Sequence, residues 1–388
     1  MLNVKVIGIG AAGNKGAIEL IEQKVVEKNN VVLLNSTLKD VPAAYKDSAI
    51  QIEGMFNGCA KERTIANAMI MNNLQNGKIS LDAIMQENDT MVIIITSLEG
   101  GTGSGASTVI AKYFADVLNT HVTIIGYSGF EDDSRGMKNT VDWFKELADK
   151  WTIQCISNKK FLKENFNNKN KAEKAANAEL VHRVKVILGQ TISESEQNID
   201  DADLQKIATT PGFMTIETVP IDKIKNVDAF NKAIIEAIDN SKSLDVEPTC
   251  KRIGVIIDVR DKTRDSIDGH FDVLRQRYGE PFEFFTHIQN VHENETVTFI
   301  IAGLKMPEEE VEALYNAFLA RMSSVDNSKD NFFAKNYDTS ISQEFDMGAV
   351  QPSANQIQAN KATFFGSSNS AIKVKNGTAQ NINIAQEL

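Results

Sequence analysis

Little in this chain offers a redox or metal framework. Its 388 residues hold three cysteines, Cys59, Cys155 and Cys250, odd in number and far apart, so neither a disulfide scaffold nor a Cys-x-x-Cys knuckle can form and a reducing compartment is expected. The five histidines, His121, His182, His270, His287 and His292, stand alone without ligand spacing, so no protein-held metal is expected. No apolar run approaches the ~20 residues that cross a bilayer. The start, Met1-Leu2-Asn3-Val4-Lys5, reads as the approach to a strand and not as a signal peptide, which makes a cytoplasmic protein without membrane insertion the expectation. Cationic side chains are also in deficit. Lys and Arg number 41 against 52 Asp and Glu, a net charge of -11, which excludes a broad basic surface for nucleic acid.

The residues present are those of an ordinary globular protein, 42% hydrophobic and 24% charged, and the length suits two domains with a tail. From residue 1 to 170, short apolar runs (Val4 to Ile9, Val31 to Leu34, Met91 to Thr96, Val122 to Ile125, Thr152 to Ile156) alternate with helical stretches (Asn14 to Gln23, Arg63 to Asn73, Ser107 to Leu118). That alternation predicts an α/β, Rossmann-like nucleotide-binding domain with a parallel sheet. Residues 171–212 hold a long central helix predicted from Lys171 to Gln197, then a shorter one that Pro211-Gly212 ends. Residues 213–325 read as a smaller α+β C-terminal domain. From 326 to 388 the composition turns to Asn, Ser, Gln, Ala and Lys, which predicts a flexible tail. Its scattered aromatics, Phe332, Phe333, Tyr337, Phe345, Phe364 and Phe365, are either docking motifs or residues that drape on the second domain.

Two glycine-rich turns carry the chemistry. Gly8-Ile9-Gly10-Ala11-Ala12-Gly13 follows the first strand and opens a helix, the context in which such a turn lets a phosphate approach helix N-terminal amides. A NAD-dependent oxidoreductase would want an acidic residue after the second strand to hold the ribose; Asn35-Ser36-Thr37 stands there instead. The second turn, Leu98-Glu99-Gly100-Gly101-Thr102-Gly103-Ser104-Gly105-Ala106-Ser107, lies between a strand and a helix. Its backbone N–H groups can form a nest for oxyanions, and with no Lys after the last glycine it is not a P-loop.

Gly100-Gly101-Thr102-Gly103-Ser104-Gly105 is similar to the signature loop of the tubulin/FtsZ superfamily, with Glu99 where the family usually has another glycine. The resemblance covers about residues 3 to 322 and implies that GTP or GDP is bound, with Mg²⁺ coordinated by the phosphates. Gly10, Ala11, Ala12, Gly13 and Asn14 resemble the first phosphate loop, Asn35 the loop after the second strand, and Gly54 to Lys61, with Gly58, the loop that senses the terminal phosphate. Glu131 and Arg135 resemble the ribose-contacting loop, and Asn158 and Asn177 match the two positions that read guanine, where an amide can both donate and accept. Glu173 stands where FtsZ proteins carry an aromatic that stacks on the base.

Asn198-x-Asp200-x-x-Asp203 has the spacing of an ordinary helix cap, Asp200 as N-cap and Asp203 complementing the dipole. By resemblance it is also the family's catalytic loop (Asn198, Asp200, Asp203), which one subunit presents to the nucleotide of its neighbour in a head-to-tail polymer. The resemblance therefore implies an assembly-activated GTPase. The tail ends in Asn381-Ile382-Asn383-Ile384-Ala385-Gln386-Glu387-Leu388 without the apolar and basic peptide of a division FtsZ, which leans toward the TubZ-like or PhuZ-like tubulins of plasmids and bacteriophages that position or segregate DNA. The tail would then contact an adaptor or DNA-bound partner. A divergent division FtsZ, an oxidoreductase and a nucleotide-binding scaffold without turnover are the alternatives.

Overall fold

The computed structural model describes residues 2–323 except 56, 87, 194–198, 222–223, 246–248 and 291–293, together with 357, 360, 361, 363 and 364. The buried apolar runs form strands: β1 (Val4–Ile9), β2 (Val31–Asn35), β3 (Ala49–Gln51), β4 (Met91–Ser97), β5 (His121–Ser128) and β6 (Thr152–Ser157), continued by β7 (Gly212–Pro220), β8 (Arg252–Asp258), β9 (Glu283–Gln289) and β10 (Thr296–Leu304). All ten lie in one sheet, ordered β3-β2-β1-β4-β5-β6-β7-β10-β8-β9. Pairing is parallel from β3 to β7, β10 runs antiparallel to both its neighbours, and β8 and β9 are parallel.

The helices are α1 (Gly10–Glu22), α2 (Arg63–Gln75), α3 (Gly101–Asp116), α4 (Ser134–Phe144), α5 (Asn158–Glu164), α6 (Lys169–Ile187), α7 (Asp201–Ala208), α8 (Val227–Asp239), α9 (Asp261–Arg264), α10 (Asp272–Tyr278) and α11 (Glu308–Ser323). They cover both sheet faces, as the period-2 side chains of doubly buried strands require. Ile7, Ile9, Val92 and Ile94 pack with Ile70, Phe114 and Trp143 of α2, α3 and α4, and with Phe230 of α8. Val4, Val6, Ile93 and Ile95 pack with Leu20, Phe161, Leu180 and Leu204 of α1, α5, α6 and α7.

Two elements start earlier than their apolar periodicity predicts, because α1 begins at Gly10 and α3 at Gly101, so the glycine turns are themselves first helical turns. The central helix is shorter than the predicted Lys171 to Gln197. It ends at Ile187, where Gly189 takes φ +70 and its N–H and that of Gln190 bond back to Val186 O and Lys185 O at 3.1 and 2.9 Å, a Schellman stop. The sheet also continues from one predicted domain to the next, through the pairs Thr152↔Gly212 and Ile153↔Phe213. α6 reinforces this narrow seam: fully buried Arg183 bonds to Glu179 on its own helix, to Cys155 O of β6 and to Ser243 Oγ beyond α8.

Most of the tail lies outside the described residues, including Phe332, Phe333, Tyr337, Phe345 and Phe365. Phe364 is buried and meets Tyr113 of α3 edge-on with 5.4 Å between ring centroids, while Asn360 Nδ2 donates to Val117 O and Lys361 pairs with Asp82. Phe364 thus docks on the first half of the chain, not on the second.

Gly189→Ala is expected to lower unfolding free energy by about 1–2 kcal/mol, since a side chain resists positive φ and the new Cβ would lie 2.7 Å from Leu204 Cδ1. A urea midpoint that falls with an unchanged slope would show it.

Candidate functional site

Strand order reverses at β1, which pairs β2 on one side and β4 on the other, so a crevice opens at the carboxyl ends of β1 and β4. Both glycine turns start there. Gly10 takes φ +74, and a Cβ on it would lie 3.0 Å from Gly103 N. A Cβ on Gly13 would lie 2.2 Å from Ile95 O, and one on Gly103 would lie 2.8 Å from Thr96 Oγ1. The N-termini of α1 and α3 can therefore touch backbone to backbone. Neither carries an acidic residue in its first turn, so the unpaired amides and positive dipole ends of both helices are left for an anion.

The neighbouring loops close on α3 through one hydroxyl. Thr102 Oγ1 bonds to Ser36 Oγ at 2.7 Å and lies 3.2 Å from Cys59 Sγ. Gly101 leaves room for this loop, since its Cβ would fall 2.6 Å from Lys61 C. The loop itself carries three positive φ values, at Gly58, Ala60 and Lys61, backbone strain of the sort found at ligand clamps. Ser104 anchors the turn from within, its N–H and Oγ bonding back to Gly100 O, and Gly105 permits close packing on Arg63 O.

Several amides in this region are buried yet incomplete. Both polar atoms of Asn14, Nδ2 of Asn35, Oγ1 of Thr96 and Oδ1 of Asn158 have no hydrogen-bond partner among the described residues. An unsatisfied buried polar group costs about 1–3 kcal/mol, and several around one crevice mark a site built for a polar ligand. Asn35 Oδ1, by contrast, accepts from Ser36 N.

At the other end, between α1 and α6, Tyr127 OH donates to Asn177 Oδ1 at 2.8 Å and sits in the notch at Gly16, where a Cβ would lie 2.7 Å from that hydroxyl. Burial pushes the Tyr127 phenol far above its ordinary range, so it is a proton donor throughout. Lys15 and Glu173 form a 3.6 Å ion pair between the same two helices. Asn158 opens α5 behind the N-cap Ser157.

Two predicted ribose-loop residues also pair with other side chains. Glu131 Oε2 accepts from Lys159 Nζ at 2.6 Å, and Arg135 pairs with Glu62 at 2.9 Å. Lys61 pairs with Asp133, which holds the Asp133 carboxyl below its usual range. Sequence reasoning missed Asn139 of α4, whose Nδ2 donates to both Lys61 O and Glu99 O and so joins two loops across the crevice; a polar residue within a helix gives no signal of that role.

Asp200 and Asp203 form a reciprocal capping box at the start of α7, the Asp200 side chain accepting from Asp203 N at 2.8 Å and the Asp203 side chain from Asp200 N at 3.3 Å. Asn198 lies outside the described residues. The cap follows α6, whose 19 residues span about 28 Å, and past its end Gln190 bonds to Val25 O beyond the C-terminus of α1. Asn177 lies midway along α6; the cap follows the helix's C-terminal end. Among the described residues no group of three His, Cys, Asp or Glu could hold a metal ion, and no helix is long and apolar enough to cross a membrane.

No family model matches the chain. The cell division protein FtsZ of Mycoplasmopsis pulmonis is 29% identical over 247 residues, 61% of this chain and 60% of that relative, so the match spans about three fifths of the relative's length. Among solved structures, the GTPγS-form protofilament of Bacillus thuringiensis serovar israelensis TubZ superposes with a TM-score of 0.68 at 16% identity, over 84% of this chain and 92% of that one. The TubZ of Clostridium botulinum phage c-st gives 0.63 at 16% identity, over 84% and 100%. The sequence likeness is to FtsZ, and the fold is the one shared with TubZ.

Thr102→Val keeps the side-chain volume but removes the hydroxyl that joins three loops. It is expected to cost about 1–2 kcal/mol, read as a lower denaturant midpoint in the ligand-free protein.

Proposed function

We propose that this chain is a member of the tubulin/FtsZ superfamily that binds and hydrolyses GTP and assembles head to tail into filaments, the nucleotide lying on one subunit and the water-activating carboxylates coming from the next. The observation that carries this reading is the pair of glycine turns facing each other across the β1/β4 crevice, ringed by unpartnered amides. The amides of residues 10–14 and 100–105 would hold the phosphates. The base would lie between α1 and α6. With Asn177 Oδ1 taken by Tyr127, its Nδ2 faces a ligand as a donor, while Asn158 Oδ1 is free to accept. Donor plus acceptor complements the O6 and N1–H edge of guanine and opposes the reversed edge of adenine. The dehydrogenase alternative loses support, since Asn35, where a ribose-binding acid would stand, spends its oxygen on Ser36 N.

Asp200 and Asp203 are set apart from their own subunit's crevice, because the end of α6 that leads to them bonds at Val25 O, past the C-terminus of α1, and the 13 residues of α1 span about 20 Å from the phosphate turn. In a head-to-tail polymer they would meet the next subunit's phosphates. Each uses one carboxylate oxygen in the capping box, which leaves the other to accept a proton from the attacking water. Mg²⁺ carried in by the phosphates would neutralise charge developing on them. The TubZ and FtsZ likenesses support assembly into filaments, and the phage origin of one neighbour supports a role in positioning or segregating DNA, with an adaptor at the tail. The likeness to a cell division protein keeps the divisome reading as the second one. Loss of a plasmid or phage DNA on deletion supports the first; blocked septation supports the second.

GTP, but not ATP or GDP, is expected to raise light scattering and give filaments by electron microscopy; equal assembly with ATP would sink the guanine assignment. Asp203→Ala separates cap from catalyst. As a cap it costs about 1 kcal/mol and leaves turnover per filament unchanged. As a water-activating group its loss leaves GTP binding and assembly intact and slows phosphate release by about 10²–10⁴-fold.

A further inference from the structure

We propose that Glu99 is a positioning residue for the ribose end of the nucleotide, a strut through which the phosphate turn sets the loop at 129–131. The proposal rests on the GTP-site reading above and concerns the side chain that departs from the family's glycine. Glu99 precedes Gly100, the N-cap of α3, so a carboxylate free to swing into the crevice would repel a triphosphate. It is turned away instead. Its Oε1 accepts from Glu131 N at 2.8 Å, and the neighbouring Phe130 amide also favours the charged carboxylate.

The place it occupies is shaped for it. A Cβ on Gly129 would fall 1.5 Å from Glu99 Cδ, and one on Gly136 would lie 3.2 Å from Cβ, Cγ and Cδ of Glu99, so two glycines on the opposing segment leave the volume that the side chain fills. Burial raises the Glu99 carboxyl pKa and the amides of Glu131 and Phe130 oppose that rise, an electrostatic environment consistent with a held group and not a solvated one.

The residue so held is Glu131. It takes φ +59, a left-handed conformation unfavourable for a side chain with a Cβ. Its N–H is fixed by Glu99, its carbonyl accepts from Arg321 Nη2 of α11, and one carboxylate oxygen is bound by Lys159. The second carboxylate oxygen remains to accept from sugar hydroxyls, and its position depends on that left-handed backbone. Asn139 ties Glu99 O to Lys61 O, so the strut also registers the ribose loop against the loop over the phosphates.

The test compares dissociation constants for GTP and for 2′,3′-dideoxy-GTP, which lacks both ribose hydroxyls. Wild type is expected to prefer GTP by about tenfold, the scale of one charge-assisted hydrogen bond. Glu99→Ala should bring the ratio near one while binding of the dideoxy nucleotide stays within a few-fold, and Glu99→Gln, which keeps an acceptor of the same length, should restore the preference. Gly129→Ala, which drives a Cβ into the carboxylate while leaving Glu99 in place, should also collapse the ratio and covers the case in which Glu99→Ala fails to fold. A wild-type preference retained in Glu99→Ala or, where that variant does not fold, in Gly129→Ala would overturn the proposal, as would a wild type indifferent to the hydroxyls. A wild type that binds neither nucleotide would instead overturn the GTP-site reading itself.

Discussion

The site depends on the close approach of two backbones where the strand order reverses. The Gly13 Cβ position lies 2.2 Å from Ile95 O, and that of Gly10 lies 3.0 Å from Gly103 N. No side chain fits at either place. If α1 or α3 moved outward to admit one, the two sets of N-terminal amides would no longer share a mouth, and the dipole ends would act on separate regions of solvent. The hydroxyl of Thr102 and the amide of Asn139 act on the same constraint from outside, holding the loops at Ser36, Cys59 and Lys61 against a turn whose position the glycines have set.

On the proposed function, α6 turns this local site into a requirement for assembly. Its midpoint carries Asn177, bonded to Tyr127; its C-terminal end stops at a Schellman turn whose Gly189 leads on to the Asp200–Asp203 cap. Arg183, buried in the middle, bonds to both sides of the seam between β6 and β7. A rigid helix held in this way keeps the proposed base reader about 15 Å from the helix end that leads to the proposed water-activating acids. On the proposed function, only a second subunit closes the gap, which is the physical reason for coupling turnover to polymer growth.

Much of the first half was legible because doubly buried parallel strands announce themselves as continuous apolar runs, as in Met91 to Thr96. β9 was not legible: only two of its seven residues are buried, so Glu283 to Gln289 shows no apolar pattern. The helix starts were misjudged for a related reason, since glycines carry no hydrophobic periodicity and Gly101 to Gly105 reads as loop even though it forms helical turns. The crevice glycines could be picked out by spacing, but the partners of the charged residues could not. Arg135 bonds to Glu62 and Lys61 to Asp133 across 73 and 72 residues of sequence, distances at which local pattern carries no information.

The departures from the family pattern follow the same division between backbone and side chain. Functions delivered by backbone amides tolerate no change of shape, and the Gly-Thr-Gly-Ser-Gly turn is intact. Functions delivered by side chains can be met by other chemistry, and there the substitutions collect. Lys15 and Glu173 pair between α1 and α6 at the position where the family stacks an aromatic, which puts a cation near the face of any base held between those helices; an ammonium over an aromatic face is attractive by about 0.5–1 kcal/mol at exposed sites. Glu99, in place of a glycine, trades backbone freedom for a carboxylate anchored on the Glu131 amide. On the proposed function, the base and ribose ends have diverged where one side chain can stand in for another, while the phosphate end has kept the one arrangement that the sheet's reversal point and two helix N-termini allow.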